Sequence, residues 1–208
     1  TAWINPSLDG VTADFVLYTP KNGLIVLEVK DWALDQVVSA DRNAVRLRLG
    51  WKEEKRTCPL GQSQSYLNRL KAMFQKPGGK EFLLPLQCGV VFPNIRREEY
   101  ANRLRRDAAV LELTNPSTTL FRDELEDLEH ASDRGELFQR VLNAHFPCRF
   151  FYEHSTPLLQ SVKQKLGSAV LVELPGRDWR SGEKRLVALD AEQEREALHL
   201  SGGRRLLR

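Results

Sequence analysis

The sequence of 208 residues contains little cysteine and no long apolar run. Its three cysteines, Cys58, Cys88 and Cys148, form no C-x-x-C pair, which argues against a disulfide framework and against a zinc ribbon. The apolar runs at residues 24–27 and 169–172 are far shorter than the ~18 residues that cross a bilayer. We therefore expect a cytoplasmic protein that is not embedded in a membrane.

The sequence also lacks a strong excess of charge of one sign. Its 31 Lys and Arg residues against 28 Asp and Glu residues give a net charge of +3. That excess is too small to indicate a nucleic-acid-binding protein, so only local clustering of charge could do so. A hydrophobic content of 41% and a charged content of 28% exclude a wholly disordered, collagenous or coiled-coil chain. The length fits one full-sized domain with a small appended unit.

Residue patterns predict a chain that begins with strands and then alternates strands with helices. A first hairpin is predicted from residues 13–18 and 24–30, which flank the turn signal Asn22-Gly23. A second hairpin is predicted from residues 37–38 and 45–49, where apolar and basic residues alternate. The other predicted elements are helices at 60–74, 96–106, 121–129, 136–146 and 151–166 and strands at 86–92, 109–113 and 168–174. This order predicts an α/β fold.

Three charged residues, Asp14, Glu28 and Lys30, are predicted to share one face of the first hairpin. Residues two apart on a strand point to the same side, so Glu28 and Lys30 project together beside the strand that starts near Asp14. Unpaired charges in an apolar strand are costly, and a bound cation is one way to offset that cost. Two carboxylates suit Mg²⁺, and a nearby lysine can orient water for phosphodiester hydrolysis. The alternative is a neutralising Glu28–Lys30 pair on an edge strand, with Asp14 capping a turn.

The sequence around these residues resembles a known family. Asp14 followed by Glu28-Val29-Lys30 resembles the D…(D/E)-x-K signature of restriction-endonuclease-like nucleases, and residues 13–32 resemble the NERD (nuclease-related) domain of that PD-(D/E)XK superfamily more specifically. Trp51 and the P-x-x-Q at residues 59–62 also match the family pattern. The resemblance implies a restriction-endonuclease-like mixed β-sheet flanked by helices, and metal-dependent cleavage of DNA.

The resemblance also implies a role for each residue of the motif. Asp14 and Glu28, with the Val29 carbonyl, would hold Mg²⁺ or Mn²⁺. Lys30 would position the attacking water. Asp14, Glu28, Lys30 and Gln62 are therefore the expected catalytic residues.

Gln62 is included among the expected catalytic residues because of its position on a predicted helix. Gln62 and Tyr66 stand at i and i+4, similar to the Q-x-x-x-Y element that lies beside the metal in RecB-type nucleases. The alternative is an ordinary amphipathic helix with a half-buried tyrosine. Nucleases of this fold usually open with a helix that carries a further glutamate, and residues 1–10 show no such pattern.

A short basic segment supports a polyanionic substrate. The residues expected to bind DNA are Arg46, Arg48, Lys52, Lys55 and Arg56. Phosphate contacts of this kind provide affinity without sequence readout. The alternative is a solvated surface. A second basic group within residues 96–106 is left open, because glutamates adjoin it.

The last residues resemble the beginning of a UvrD/Rep-like superfamily 1 helicase. Asp190 is a helix N-cap candidate, and Gln193 occupies the place of the glutamine that reads the adenine of ATP in that family. No G-x-x-x-x-G-K-[ST] motif is present, so this chain cannot hydrolyse ATP by itself. The alternative is a plain amphipathic helix and strand.

These patterns predict a NERD nuclease-like domain at residues 1–150, an extension of helix, strand and linker at 151–187, and the start of a truncated helicase domain at 188–208. The expected function is a Mg²⁺- or Mn²⁺-dependent deoxyribonuclease, linked to a helicase, that contacts DNA through its backbone phosphates. The main rival is a catalytically degenerate nucleic-acid-binding module that positions a helicase without cutting. A protein-interaction adaptor is a third class. DNA repair and defence against foreign DNA both fit.

Overall fold

The computed structural model describes residues 1–74, 84–107, 112–148 and 156–166. Within these ranges the strands are β1 (Ala2–Ile4), β2 (Ser7–Leu8), β3 (Val11–Thr12), β4 (Phe15–Thr19), β5 (Gly23–Val29), β6 (Val37–Ala40), β7 (Ala44–Leu49), β8 (Lys52–Thr57), β9 (Leu86–Phe92) and β10 (Thr119–Phe121). The helices there are α1 (Pro59–Phe74), α2 (Arg97–Arg106), α3 (Arg122–His130), α4 (Arg134–His145) and α5 (Thr156–Leu166).

A five-stranded mixed sheet, in the order β1–β4–β5–β9–β10, forms the centre of the described structure. The β5 strand pairs antiparallel with β4 and parallel with β9, and β10 adds a second parallel pair. Residues 23–28 of β5 are buried. Strands covered on both faces read as continuous apolar runs, as L-I-V-L does here. The predicted α/β class, with a mixed sheet flanked by helices, is confirmed.

The two faces of the central sheet pack against different helices. Leu24 and Val26 of β5 belong to one core cluster with α1 and α5, and Ile25 and Leu27 belong to another cluster with α4. The α1 side chains in the first cluster repeat at helical spacing, which gives the helix one apolar side. They are Tyr66, Leu67, Leu70 and Phe74. By the alternation of β5, Glu28 lies on the face that α1 covers.

A second, three-stranded antiparallel sheet, in the order β6–β7–β8, follows β5 in the chain. Val37, Val45 and Leu47 form a core cluster with Val90 and Phe92 of β9, so this small sheet covers the ends of the central strands beside the start of α1. The β7–β8 turn consists of Gly50 and Trp51, and Gly50 has a φ of 64°. A positive φ at the first turn residue is typical of a type II′ hairpin and favours glycine.

Most predicted elements are found. The hairpin of β4 and β5, the β6–β7 hairpin and the strand at 86–92 are confirmed. The helix predicted at 60–74 begins one residue earlier, because Pro59 is accepted in the first helical turn. The helices predicted at 96–106, 121–129 and 136–146 are α2, α3 and α4, each with both ends within two residues of the prediction. No helix in the described ranges is long and apolar enough to cross a membrane.

The patterns missed five strands, β1, β2, β3, β8 and β10. The β8 sequence K-E-E-K-R-T has no apolar residue, and the segment becomes a strand because β7 supplies its hydrogen-bonding partners. The predicted strand at 109–113 lies mostly outside the described residues, as does the start of the helix predicted at 151–166. The strand at 168–174, the linker and the helicase-like segment at 188–208, with Gln193, lie wholly outside them.

Candidate active site

Asp14 and Glu28 lie opposite each other at the ends of the central hairpin. The β4–β5 register pairs Phe15 with Leu27, so Asp14 immediately before β4 faces Glu28. The Val29 N–H donates a hydrogen bond to Asp14 Oδ2 over 2.7 Å. Asp14 therefore extends the β4–β5 ladder with its side chain, and this contact holds its carboxylate beside β5.

Glu28 is a buried carboxylate with one paired and one unpaired oxygen. Its side chain is 2% exposed, and its Oε1 accepts a hydrogen bond from Lys30 Nζ. Its Oε2 has no hydrogen-bond partner among the described residues. Burial raises the pKa of Glu28 above its usual 4.5. The hydrogen bond and charge of Lys30 and the Tyr66 hydroxyl offset the desolvation only in part, and the Asp14 charge adds to it. Asp14, Glu28 and Lys30 thus converge on one face, as their spacing predicts.

Gln62 and Tyr66 of α1 lie on the helix face turned toward these carboxylates. Gln62 Nε2 donates a hydrogen bond to the Tyr66 hydroxyl over 2.7 Å. Burial raises the pKa of Tyr66, and the nearby negative charges of Glu28 and Asp14 raise it further. Tyr66 therefore interacts with the two carboxylates itself, and Gln62 is connected to the site by its hydrogen bond to Tyr66.

The donor atoms at this face suit a hard divalent cation. Two carboxylates lie opposite each other, and the unpaired Glu28 Oε2 is a buried acceptor without a donor. The N–H and carbonyl of a strand residue point to the same edge, so the Val29 carbonyl lies on the Asp14 side. No group of three or more Asp, Glu, His or Cys side chains placed to hold a metal ion together occurs in the described part of the chain. A cation held here would complete its coordination with the Val29 carbonyl and water, as Mg²⁺ commonly does.

A pocket of about 590 Å³ opens beside Lys30, between the end of β5 and the three-stranded sheet. Its lining includes Lys30, Trp32, Leu47, Leu49, Arg56 and Gln62. Lys30 Nζ lies 5.6 Å from the centre of the Trp32 ring, within the range of a cation–π contact. Two of the expected catalytic residues, Lys30 and Gln62, therefore border a space large enough for a ligand. Residue patterns did not identify Trp32 as part of a site, although the D-W dipeptide directly after the E-x-K motif was a signal that could have done so.

The five basic residues expected to bind DNA do not form one surface. The β7–β8 register places Arg46 opposite Lys55 and Arg48 opposite Glu53, on the face that carries exposed side chains. Arg56 lies opposite Val45, and Lys52 lies opposite Leu49, on the other face. Of these five residues, Arg56 lines the pocket. The cluster in the sequence is thus divided by the alternation of the two strands.

The second basic group is largely neutralised by carboxylates. Arg97 Nη2 contacts Glu124 Oε1 at 2.6 Å, and Arg96 Nη2 contacts Glu126 Oε2 at 2.6 Å. Arg103 pairs with Asp107 at 3.0 Å. These arginines join α2 to α3 or close the end of α2. The pairing favours the structural alternative for this group.

No family model, curated protein or solved structure matches the chain. A functional proposal consequently depends on the geometry around Asp14, Glu28 and Lys30 and on the sequence resemblance.

Proposed function

We propose that this chain is a metal-dependent nuclease domain that hydrolyses DNA phosphodiester bonds, with a NERD-type, restriction-endonuclease-like fold. The observation that carries the proposal is the buried Glu28 carboxylate, which faces Asp14 and pairs with Lys30 through one oxygen, while its other oxygen has only the Tyr66 hydroxyl nearby and no described donor within hydrogen-bond distance. An unpaired buried acceptor costs stability, and a cation bound between the two carboxylates would offset that cost.

In this proposal Asp14, Glu28 and the Val29 carbonyl hold Mg²⁺ or Mn²⁺. The cation, when bound, supplies positive charge that polarises the phosphate and lowers the pKa of water. Asp14 is held for this role by the Val29 N–H. Tyr66 and Gln62 limit the movement of Glu28 from the α1 side, which makes Gln62 a positioning residue.

Lys30 is the residue that faces the substrate. Its ammonium group is kept in place by Glu28 and by the Trp32 ring, and its position in the pocket wall gives it access to a phosphate. There it would donate hydrogen bonds to the attacking water and to a phosphate oxygen, and its charge would stabilise the negative charge that develops during attack. The helicase-linked arrangement belongs to the same proposal and is based on the sequence of residues 188–208 alone. A role in DNA repair and a role in defence against foreign DNA are both compatible with it.

One observation favours the rival, a module that binds nucleic acid without cutting it. The Glu28–Lys30 ion pair neutralises itself, and a pocket lined by Lys30 and Arg56 would hold a phosphate without any cation. In that case DNA affinity would fall with salt while no cleavage occurred in any divalent metal.

The deciding experiment incubates supercoiled and linear DNA with Mg²⁺ or Mn²⁺. Wild type is compared with Glu28→Gln and Lys30→Ala, and with Glu98→Gln, an exposed carboxylate on α2, as the matched control. We expect cleavage by wild type and Glu98→Gln and none by the other two variants.

A second readout follows melting temperature against Mn²⁺ concentration. A ligand that binds the folded state at a hundred times its Kd adds about 2.7 kcal/mol of stability. Stabilisation of wild type that Glu28→Gln lacks is expected. Absence of both cleavage and metal-dependent stabilisation would exclude the proposal.

A further inference from the structure

The pocket beside Lys30 combines two kinds of surface. Trp32, Leu47 and Leu49 give it an apolar part, and its polar part contains two cations, Lys30 and Arg56, against one carboxylate, Asp31. A volume of about 590 Å³ falls within the range of small-molecule sites. The site therefore suits a ligand with one flat apolar portion and one anionic portion.

The fold builds this combination through the register of β7 and β8. Leu47 and Leu49 share one strand face with Arg56, because Arg56 pairs with Val45 on that same face. Leu49 is 37% exposed although it is a large apolar residue. Trp51, at the hairpin turn two residues later, is fully exposed. The end of the hairpin thus presents apolar surface to solvent next to the pocket.

The charge of the hairpin indicates the sign of the ligand. Residues 44–57 carry five basic and two acidic side chains. The Arg56–Glu54 contact joins two side chains that are 55% and 41% exposed, and exposed ion pairs of this kind contribute little and exchange readily. Arg56 is therefore able to turn toward a phosphate, and the surroundings complement a polyanion.

We propose that this pocket receives one unpaired nucleotide of a DNA strand, with its base against Trp32 and Leu49 and its phosphate beside Arg56 and Lys30. The inference rests on the proposed function and specifies its substrate as single-stranded or frayed DNA. A base in a duplex is stacked and paired, and extruding it costs free energy, whereas an unpaired base exposes its face. Stacking on an aromatic ring tolerates any base, so the pocket selects for strandedness and not for sequence.

The test measures binding in EDTA, where a metal-dependent enzyme does not cut, by the fluorescence anisotropy of a labelled oligonucleotide. The probes are a single strand, its duplex, and an abasic strand of equal length whose tetrahydrofuran units keep the phosphates and lack bases. We expect wild type to prefer the single strand to both other probes by about tenfold, the scale of one base–aromatic contact.

The variants are Trp32→Ala, Arg56→Ala and Arg140→Ala. Trp32→Ala should lose about tenfold in single-strand affinity and less for the abasic strand, since it removes the base contact while Glu28 still holds Lys30. Arg56→Ala should weaken both. Arg140, exposed on α4 across the central sheet, is the control of equal charge and should change affinity by less than about twofold. Trp32→Phe, which keeps a ring, should restore most of the loss and guards against a folding defect.

Equal affinity of wild type for the single strand, duplex and abasic strand would overturn the inference, as would an unchanged preference in Trp32→Ala. DNA cleavage by wild type together with either result would leave the nuclease proposal standing and remove this one. Strand preference that depends on Trp32, without cleavage in any metal, would support the pocket and reject the nuclease.

Discussion

The backbone N–H of Val29 donates a hydrogen bond to Asp14 Oδ2 over 2.7 Å, so a side chain occupies the position of the next backbone acceptor in the β4–β5 ladder. The two residues are 15 positions apart in sequence, and the hairpin places them side by side. This contact orients one carboxylate of the candidate site without using Lys30, which remains paired with Glu28. The backbone thus shapes the site as much as its charged side chains do.

Asp14→Asn tests whether this carboxylate acts through its charge. The amide oxygen of asparagine can still accept the Val29 hydrogen bond, so we expect the melting temperature to change by less than about 2 °C. DNA cleavage and Mn²⁺-dependent stabilisation should both disappear, because an amide is a far weaker cation ligand. Thermal melting with and without Mn²⁺ and a cleavage assay check this.

In Asp14→Ala the hydrogen bond is lost as well, and a further loss of about 1 kcal/mol of stability is expected. Full cleavage by Asp14→Asn would contradict the role given to Asp14.

Glu28→Gln should stabilise the metal-free protein near neutral pH. The pKa of Glu28 is raised above 4.5 by burial, so the folded state holds its proton more tightly than the unfolded state. The protonated Glu28 side chain therefore stabilises the folded state fully at low pH, and this stabilisation is lost as the pH rises through the raised pKa. Glutamine mimics the protonated form and removes that loss. We expect the two proteins to melt alike below pH 4.5 and Glu28→Gln to melt at a higher temperature than wild type at neutral pH.

The measurement is thermal melting in EDTA across that pH range, with Glu98→Gln as the exposed control. A lower melting temperature of Glu28→Gln at neutral pH would show that the Glu28–Lys30 pair stabilises the fold. That outcome would favour the neutralising pair over the cation site.

Glu124 should control stability in acid. Burial opposes its ionisation, but hydrogen bonds from His145, the Phe121 N–H and Arg97 outweigh the desolvation and lower its pKa to about 2. Its pKa is lower in the folded state, so this stabilisation is complete above the unfolded value of 4.5 and is lost as the pH falls toward about 2. The difference corresponds to about 3 kcal/mol at most. We expect Glu124→Gln to lose about 1–3 kcal/mol at neutral pH.

Urea unfolding at a series of pH values measures this effect. The difference in free energy of unfolding between wild type and Glu124→Gln should decrease as the pH falls below 4.5. A difference in free energy of unfolding that does not change with pH would mean that Glu124→Gln loses stability through packing and not through charge. Cleavage at neutral pH should be unaffected at temperatures where both proteins are folded, because Glu124 lies on α3, away from Glu28.

The two faces of the β7–β8 hairpin should make different contributions to DNA binding. Arg46 and Arg48 lie on the outer face, and Arg56 lies at the pocket. The double variant Arg46→Ala and Arg48→Ala should weaken binding of unrelated DNA sequences about equally, for single strands and duplexes alike, because it removes only phosphate attraction. It should also reduce the slope of log affinity against log salt. Arg56→Ala should instead reduce the preference for single strands over duplexes. Anisotropy titrations at several salt concentrations compare the double variant with Arg56→Ala. A loss of affinity confined to one DNA sequence would be inconsistent with a phosphate contact.

Local patterns predicted the elements whose residues interact with near neighbours in the chain. Strand periodicity and the Asn22-Gly23 turn predicted β4 and β5, and Gly23 has a φ of 77° with no room for a Cβ beside Pro85. The shared face of Asp14, Glu28 and Lys30 follows from the same local rules, because a hairpin with a defined turn has a defined register. The helix that carries Gln62 and Tyr66 was predicted by its apolar spacing and by Pro59.

The tertiary structure alone decided which of these elements meet. β8 has no strand pattern of its own and forms because β7 supplies backbone partners, and that pairing places Arg46 and Arg56 on opposite faces. The burial of Glu28 to 2% exposure depends on α1 covering the central sheet, and the pocket exists because the small sheet packs beside Lys30 and Trp32. These relationships join residues that are distant in sequence. Composition and periodicity report only on the backbone near each residue, whereas pairing and packing depend on where the rest of the chain lies.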